Sequence, residues 1–244
     1  METSGATGSV ALSYIVPAHN SADVIEGTLK ELSDRLGGTG SEILVVENGS
    51  TDGTFELLNK VAETWSQDVE LRVLQSAKGM GNALRAGIKA SKGQRLFLGA
   101  DDVPFGFDDL DAAEKLDVTT NPMVIGSKGH KDSVTPRGLS RRVLTFGFLT
   151  LRAIILGMRT RDPQGTFIIA GEWARSVEPR LTEQGFLLTT ELTFLAEREG
   201  IRTTEVPVRL RASHDVHGSR IRLSDPIKMG LGLFTLRRKH PRKR

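Results

Sequence analysis

Val45-Val46-Glu47-Asn48-Gly49-Ser50-Thr51-Asp52-Gly53-Thr54 holds a complete strand–turn–helix junction. Glu42 to Val46 reads as a short strand of the fully buried type, and Phe55, Leu58, Val61, Ala62 and Trp65 recur at helical spacing after it. Between them Gly49 and Gly53 permit a tight turn that displays a carboxylate and amides. The same unit repeats outward. Val10 to Val16 is a β-rich apolar run ended by Pro17; Asn20 and Ser21 can cap a helix carrying Val24, Ile25, Leu29, Leu32 and Leu36, closed by Gly37 and Gly38. Downstream, Val69 to Leu74 reads as a strand, Gly81 to Ser91 as a helix, and Gln94 to Leu98 as a strand stopping at Gly99-Ala100-Asp101-Asp102. This alternation predicts an α/β fold with a mostly parallel central sheet and right-handed crossovers. Ligands of such sheets bind beyond the carboxyl ends of the strands. Three polar clusters fall there: Pro17–Ser21, Glu47–Asp52 and Gly99–Asp102.

The second half is less regular. Met123 to Gly126 and Thr166 to Ala170 read as strands, Leu139 to Met158 as one or two helices, and Thr189 to Glu199 as an amphipathic helix ended by Gly200. Ile201 to Val208 contains Pro207, which suits an edge strand. Asp225 to Lys239 reads as a helix with Ile227, Leu231, Phe234 and Leu236 on one side. No Pro/Gly-rich linker divides the chain, so the expected organisation is a short disordered lead (1–9), one domain (10–224), and an amphipathic helix with a basic tail (225–244).

Composition narrows the chemistry. The 244 residues are 38% hydrophobic and 26% charged, which suits a soluble globular protein, and they include no cysteine. Disulfides, thiolate metal sites and cysteine nucleophiles are therefore excluded. The net charge of +3 is unevenly spread: residues 237–244 hold six Lys/Arg and no acid, leaving 27 Lys/Arg against 30 Asp/Glu in the body. Such a tail suits an anionic lipid surface or is a solvated terminus; nothing in the body supports a nucleic-acid partner. No run reaches the ~20 apolar residues of a membrane span, and Met1 to Ser9 lacks the pattern of a signal peptide. A cytoplasmic protein, peripheral on a membrane at most, is expected.

Several clusters can carry chemistry. Glu47, Asn48 and Asp52 can bond a nucleobase edge or ribose, or can serve only as a helix-capping turn. Lys78-Gly79-Met80-Gly81-Asn82-Ala83 opens a helix, where glycine-rich turns cradle phosphates, but Leu84 replaces the third glycine of a dinucleotide fingerprint. Asp101 and Asp102 at a strand end can hold Mg²⁺ or Mn²⁺ against a diphosphate, or can form an ordinary turn. Asp108, Asp109 and Asp111 suit the first turn of a helix. The five histidines lack metal-ligand spacing, and no Ser/His/Asp elbow is present, which argues against a hydrolase.

In this order and spacing the clusters resemble the family 2 inverting glycosyltransferases of the GT-A fold. The similar branch is that of the dolichyl- and polyprenyl-phosphate glucosyl- and mannosyltransferases. The carriers are Ile15-Val16-Pro17-Ala18-His19-Asn20, the Val45–Thr54 junction, Lys78–Ala83, Gly99–Asp102 and Ile125-Gly126-Ser127-Lys128, followed by Asp162-Pro163-Gln164-Gly165-Thr166-Phe167, Glu191-Leu192 and Glu205-Val206-Pro207-Val208. The resemblance implies a pocket for a nucleoside-diphosphate sugar (UDP-glucose, UDP-N-acetylglucosamine or GDP-mannose) lined by Pro17, His19, Asn20, Glu47, Asn48, Asp52, Lys78, Asn82 and Asp101. It implies Asp101 and Asp102 as metal ligands, although the family's Asp-x-Asp reads Ala100-Asp101-Asp102 here. It places Asp162, Gln164 and Glu191 at the sugar and acceptor site, and Arg137, Arg141 and Arg220 on an acceptor phosphate, with Arg211 or His214 standing for a further arginine. The implied reaction is hexose transfer to a polyprenyl phosphate. The alternatives are a soluble hydroxyl acceptor, with Asp162 or Glu191 as base, or a non-catalytic sugar-nucleotide-binding module.

Overall fold

A computed structural model of the chain describes residues 9–134, 139–160, 162, 165–211 and 225–241, with the backbone alone for 139–146 and 225–229. Seven strands form one sheet: β1 (Leu12–Ala18), β2 (Glu42–Glu47), β3 (Glu70–Gln75), β4 (Arg95–Leu98), β5 (Met123–Ser127), β6 (Thr166–Ala170) and β7 (Thr203–Pro207), in the order β3-β2-β1-β4-β6-β5-β7. β1 to β4 are mutually parallel, β6 runs against both β4 and β5, and β7 lies parallel to β5. The predicted mostly parallel sheet is thus present, with one reversed strand, β6, beside the central β4.

Helices cover both faces. Tyr14, Val16, Ile43, Val45 and Phe97 point to one side, where α1 (Ile25–Leu36), α2 (Thr54–Glu63) and α4 (Asp108–Glu114) supply Ile25, Leu29, Leu32, Leu58 and Leu110. Their neighbours Ile15, Leu44, Val46, Leu96 and Leu98 point to the other, against α3 (Met80–Ala90), α6 (Gly171–Val177) and α7 (Leu188–Arg198). Burial on both faces explains why β1 and β2 read as continuous apolar runs, because alternate side chains enter two separate cores. Tyr14 stacks on Phe97 with ring centroids 4.4 Å apart.

Two expectations near β1 are corrected. The strand does not end at Pro17 but runs through it to Ala18. The ladder with β4 stops at Ile15↔Leu98 while that with β2 continues to Ala18↔Glu47. Gly99 donates to the Ile15 carbonyl and Asn48 to the Ala18 carbonyl, so Pro17, two residues from Ile15, turns its donor-less nitrogen to the side where the sheet opens. Asn20 and Ser21 do not cap α1 with their side chains; the Ser21 carbonyl accepts from Val24 and Ile25, and both side chains turn toward the strand ends.

Beyond the sheet, α5 (Leu139–Leu156) packs beside α8 (Asp225–Lys239). Ile155, Leu187 and Leu233 form a small core between them and the start of α7. Their outer sides leave large apolar groups in solvent: Leu151, Ile154, Leu231 and Phe234 are 37%, 73%, 65% and 54% exposed. Among the described residues no helix is long and apolar enough to cross a membrane. The basic tail is only partly free, since Arg237 donates to the Ile155 carbonyl and Lys239 pairs with Glu183 at 3.7 Å.

Candidate active site at the strand ends

The order reversal on either side of β1 opens a crevice between the carboxyl ends of β1 and β4, the place where such sheets bind ligands. Three loops meet there through hydrogen bonds. Asn20, held at φ 52°, accepts from the Thr51 N–H at 2.8 Å and donates its own N–H to the Ser50 hydroxyl at 3.1 Å. Asp52 takes the Ala22 N–H at 3.1 Å, the Thr54 N–H at 3.1 Å and the Thr54 hydroxyl at 2.5 Å. It therefore does cap the start of α2, and it also ties that start to the β1 loop. Glu47, 3% exposed, accepts from the Ser50 N–H at 2.5 Å and from Gln75 at 3.2 Å. Burial pushes its carboxyl up, but donors from Ser50, Gln75 and Gly49 outweigh that and hold it below its ordinary value. For Asp52, too, desolvation pushes the carboxyl up, but the donors from Thr54 and Ala22 together outweigh it and hold it below its ordinary value. Two carboxylates thus stay ionised at the mouth of the crevice.

Asn48 is engaged within the protein through every polar atom of its side chain. Its N–H and its amide nitrogen both donate to the Ala18 carbonyl, at 3.0 and 2.8 Å, and its amide oxygen accepts from Gly79 at 3.2 Å. It fixes the third loop against the first two, and a Cβ on Gly49 would lie 3.1 Å from the Lys78 Cβ. The glycine-rich start of α3 does not stand open to a phosphate: the N–H groups of Gly81 and Asn82 donate to the Gln184 carbonyl at 2.8 and 3.2 Å. The glycines there serve close packing, since a Cβ on Gly79 would sit 2.4 Å from that oxygen. Lys78 remains exposed beside this junction, and Asn82 bonds the Lys78 carbonyl at 3.0 Å.

Asp101 enters the same cluster. Its carboxylate accepts from the Ser21 hydroxyl, which also receives the His19 N–H at 3.1 Å, and its carbonyl accepts from the Thr28 hydroxyl at 2.6 Å. Gly99 lets this loop lie against the Tyr14 ring, where a Cβ would come within 2.6 Å. Among the described residues no group of three His, Asp or Glu could cage a metal. Asp101 and Asp102 side by side do fit an ion whose remaining ligands come from a diphosphate, because Mg²⁺ and Mn²⁺ bind through one or two carboxylates and keep positions open.

Comparison with known proteins decides what this crevice belongs to. Residues 13–179, which include the carboxyl ends of β1 to β6, match the family described as Glycosyl transferase family 2. The chain is a family 2 glycosyltransferase. It is 31% identical to the dolichyl-phosphate beta-glucosyltransferase of Saccharomyces cerevisiae across 93% of this chain and 74% of the yeast protein. It is 27% identical to the human protein of that name across 86% of this chain and 69% of that one. Among solved structures it is similar to glucosyl-3-phosphoglycerate synthase of Mycobacterium tuberculosis in complex with Mn²⁺, UDP-glucose and glycerol 3-phosphate, with a TM-score of 0.63 at 19% identity over 94% of this chain and 79% of that one. Mannosyl-3-phosphoglycerate synthase of Rubrobacter xylanophilus gives 0.63 at 16% identity, over 93% and 72%. The fold of the glycosyltransferase is accordingly the GT-A type.

Further residues expected at the site of the glycosyltransferase belong to the second half of the chain. Asp162 lies at the same end of the sheet, its carboxylate accepting the Lys128 N–H at 2.8 Å just past β5. Arg137, Gln164, Arg220 and His214 fall outside the described residues, and Arg141 is described by its backbone in α5 alone. Arg211 pairs with Glu31 at 2.7 Å. Glu191 differs most from its expected use as a base. It is fully buried, and its two oxygens accept from the Thr182 N–H and hydroxyl, the Glu183 N–H and His240. A carboxylate so engaged anchors a loop in this arrangement.

Three participants carried no signal in the sequence. The Gln184 carbonyl is a main-chain group that no motif marks. Asp109 stands in the first turn of α4 as expected, but no pattern marks its burial: it is 1% exposed and accepts from the Thr166 hydroxyl and the Leu110 N–H. Arg152 reads as an interruption of an apolar run, yet it is 2% exposed and donates to the Thr160 carbonyl. Its Nε and Nη1 have no hydrogen-bond partner among the described residues. Burial drives the Arg152 pKa down while Glu197, Asp162 and Glu205 push it back up.

Proposed function

We propose that this glycosyltransferase moves glucose from UDP-glucose to a polyprenyl phosphate at a membrane surface, with inversion at the sugar. The observation that carries this reading is the likeness to dolichyl-phosphate beta-glucosyltransferases over nearly the whole chain. The geometry supports it. Glu47 and Asp52, both ionised, would face the base and ribose of the donor, with Asn20 and Asn48 fixing the loops that carry them and Pro17 and His19 forming the wall from β1. Lys78 and Asn82 would flank the nucleotide from the start of α3. Asp101 and Asp102 would hold a divalent ion whose contribution, when bound, is to neutralise the departing diphosphate. That charge is the principal electrostatic demand of the transition state.

A phosphate acceptor already carries an anionic oxygen and needs little help from a base. The demand on the protein is then to bring two anions together, which suits Arg137, Arg141 and Arg220, with Asp162 positioned toward the sugar. The apolar outer sides of α5 and α8, with Arg238 and the basic residues after it, would meet the lipid in which such an acceptor resides. Each Lys/Arg near an anionic surface contributes about 1 kcal/mol.

Calorimetry with UDP-glucose, UDP-N-acetylglucosamine and GDP-mannose, each with and without Mn²⁺, tests the donor. Radiolabel transfer to polyprenyl phosphate in liposomes tests the acceptor. UDP-glucose is expected to bind in a metal-dependent way and to be turned over only when the lipid phosphate is present. Binding without turnover under any metal would instead establish a non-catalytic module.

A further inference from the structure

We propose that His240, at the C-terminal end of α8, is a positioning residue for the donor pocket, acting through Glu191 and the Thr182–Gln184 segment. The proposal rests on the donor site lying at the strand ends as argued above. A carboxylate buried as completely as Glu191 is tolerated only if its oxygens are fully hydrogen-bonded. Four of its contacts are local: the Thr182 N–H at 3.1 and 2.9 Å, the Thr182 hydroxyl at 2.8 Å and the Glu183 N–H at 2.9 Å. The fifth, His240 Nε2 at 2.7 Å, comes from 49 residues further along the chain.

The segment that Glu191 holds ends in Gln184, whose carbonyl takes the first N–H groups of α3. The junction has little slack, since a Cβ on Gly81 would lie 2.6 Å from the Gln184 carbonyl carbon. From α3 the chain of contacts continues through the Gly79 N–H to Asn48, and so to the ends of β1 and β2. His240 is itself clamped. Arg198 donates to the carbonyls of His240 and Pro241, Lys239 pairs with Glu183, and Phe194 packs edge-on with ring centroids 6.4 Å apart. Seating of the last turn of α8 therefore completes a path of hydrogen bonds that reaches the nucleotide loops. Leu231 and Phe234, the groups placed toward lipid, stand on that same helix.

The test compares wild type with His240→Ala and, to remove a Glu191 donor without touching α8, Thr182→Val. Val206→Ala on β7 serves as a matched destabilised control. Amide hydrogen exchange at Gly81 and Asn82 reads the coupling whether or not a donor binds, and calorimetry with UDP and Mn²⁺ reads its effect on the pocket. Both variants are expected to exchange at Gly81 and Asn82 about tenfold faster and to bind UDP about tenfold more weakly, the scale of one lost hydrogen bond to a charged group. His240→Gln, which restores a donor, is expected to recover most of both effects. If His240→Ala does not fold, Thr182→Val decides alone. Unchanged exchange at Gly81 and Asn82, or faster exchange with UDP affinity within twofold of wild type, overturns the proposal, as does an equal change in Val206→Ala. A wild type that binds no UDP refutes the donor reading instead, and the exchange arm still stands.

Discussion

The loops at the ends of β1 and β2 and the surroundings of Asp109 and Arg152 treat ionisable groups in opposite ways. Around Glu47 and Asp52 the backbone turns its N–H groups inward, and both carboxyls are held below their ordinary values despite the cost of burial. Around Asp109 and Arg152 burial prevails: Asp109 is pushed up to about 6 and Arg152 is lowered, each toward its neutral form. The first region is a set of fixed charges shaped before any ligand arrives, the kind of preorganisation a nucleotide pocket needs. The second holds ionisable groups against their electrostatic preference, and its charges respond to whatever is placed near them.

Three experiments sharpen or break this contrast. Replacing the paired acids, Asp101→Asn with Asp102→Ala, is expected to lower transfer by about 10²–10³-fold or more. It should change the melting temperature little, because the amide oxygen introduced at position 101 still accepts from Ser21. A steady-state assay beside thermal unfolding measures both, and a loss of folding in step with activity would make the pair structural.

The next effect is on stability. The folded chain holds the Asp109 proton up to about pH 6, whereas its ordinary value is 3.8. This group therefore supports folding most strongly below pH 3.8, and that support declines as the pH rises to about 6, by about 3 kcal/mol in all. Asp109→Asn is expected to remove that slope and to stabilise the protein at pH 7 by up to about 3 kcal/mol. Denaturant unfolding between pH 4 and 7 would show it, and parallel curves for the two proteins would mean the burial of Asp109 costs nothing. The smallest effect concerns the exposed sides of the helices. Leu231→Asp with Phe234→Asp is expected to weaken sedimentation with anionic vesicles by at least about tenfold, given ~1.5–3 kcal/mol per fully buried apolar side chain. Equal binding to vesicles by wild type and variant would assign any attachment to the basic tail.

Much of the fold could be read from the chain, because both signals that mark a doubly covered strand are local. β2 matches its expected span with one residue added, and β6 and α8 match theirs, each being an apolar run or an amphipathic stretch bounded by turn residues. The reversal of β6 carries no such mark, because Thr166 to Ala170 is as apolar as its parallel neighbours. The short α6 was also missed, as its seven residues offer too few turns for a periodic pattern. Polar residues expected next to a strand end do stand there, since the strand predicts where its last side chain lies. Contacts made from a distance left no local mark: Asn20 and Ser21 read as a cap but bond across to other loops, and the partners of Glu191, Arg237 and Lys239 lie on distant segments.

By itself the sequence determined that strands alternate with helices, that polar clusters follow the first, second and fourth strands, and that those clusters in that order belong to a glycosyltransferase. The first two depend on neighbours within a few residues, which periodicity and turn chemistry record; the third rests on the likeness of the ordered motifs to a known family. Which polar groups remain available to a ligand was decided only by the tertiary structure. Asn48 is engaged by Ala18 and Gly79, the start of α3 is closed by Gln184, and Glu191 is consumed by Thr182, Glu183 and His240. A side chain shows in sequence what it could bond, but its partners come from segments as far as 180 residues away, as Arg211 does for Glu31. Folding alone selects among them.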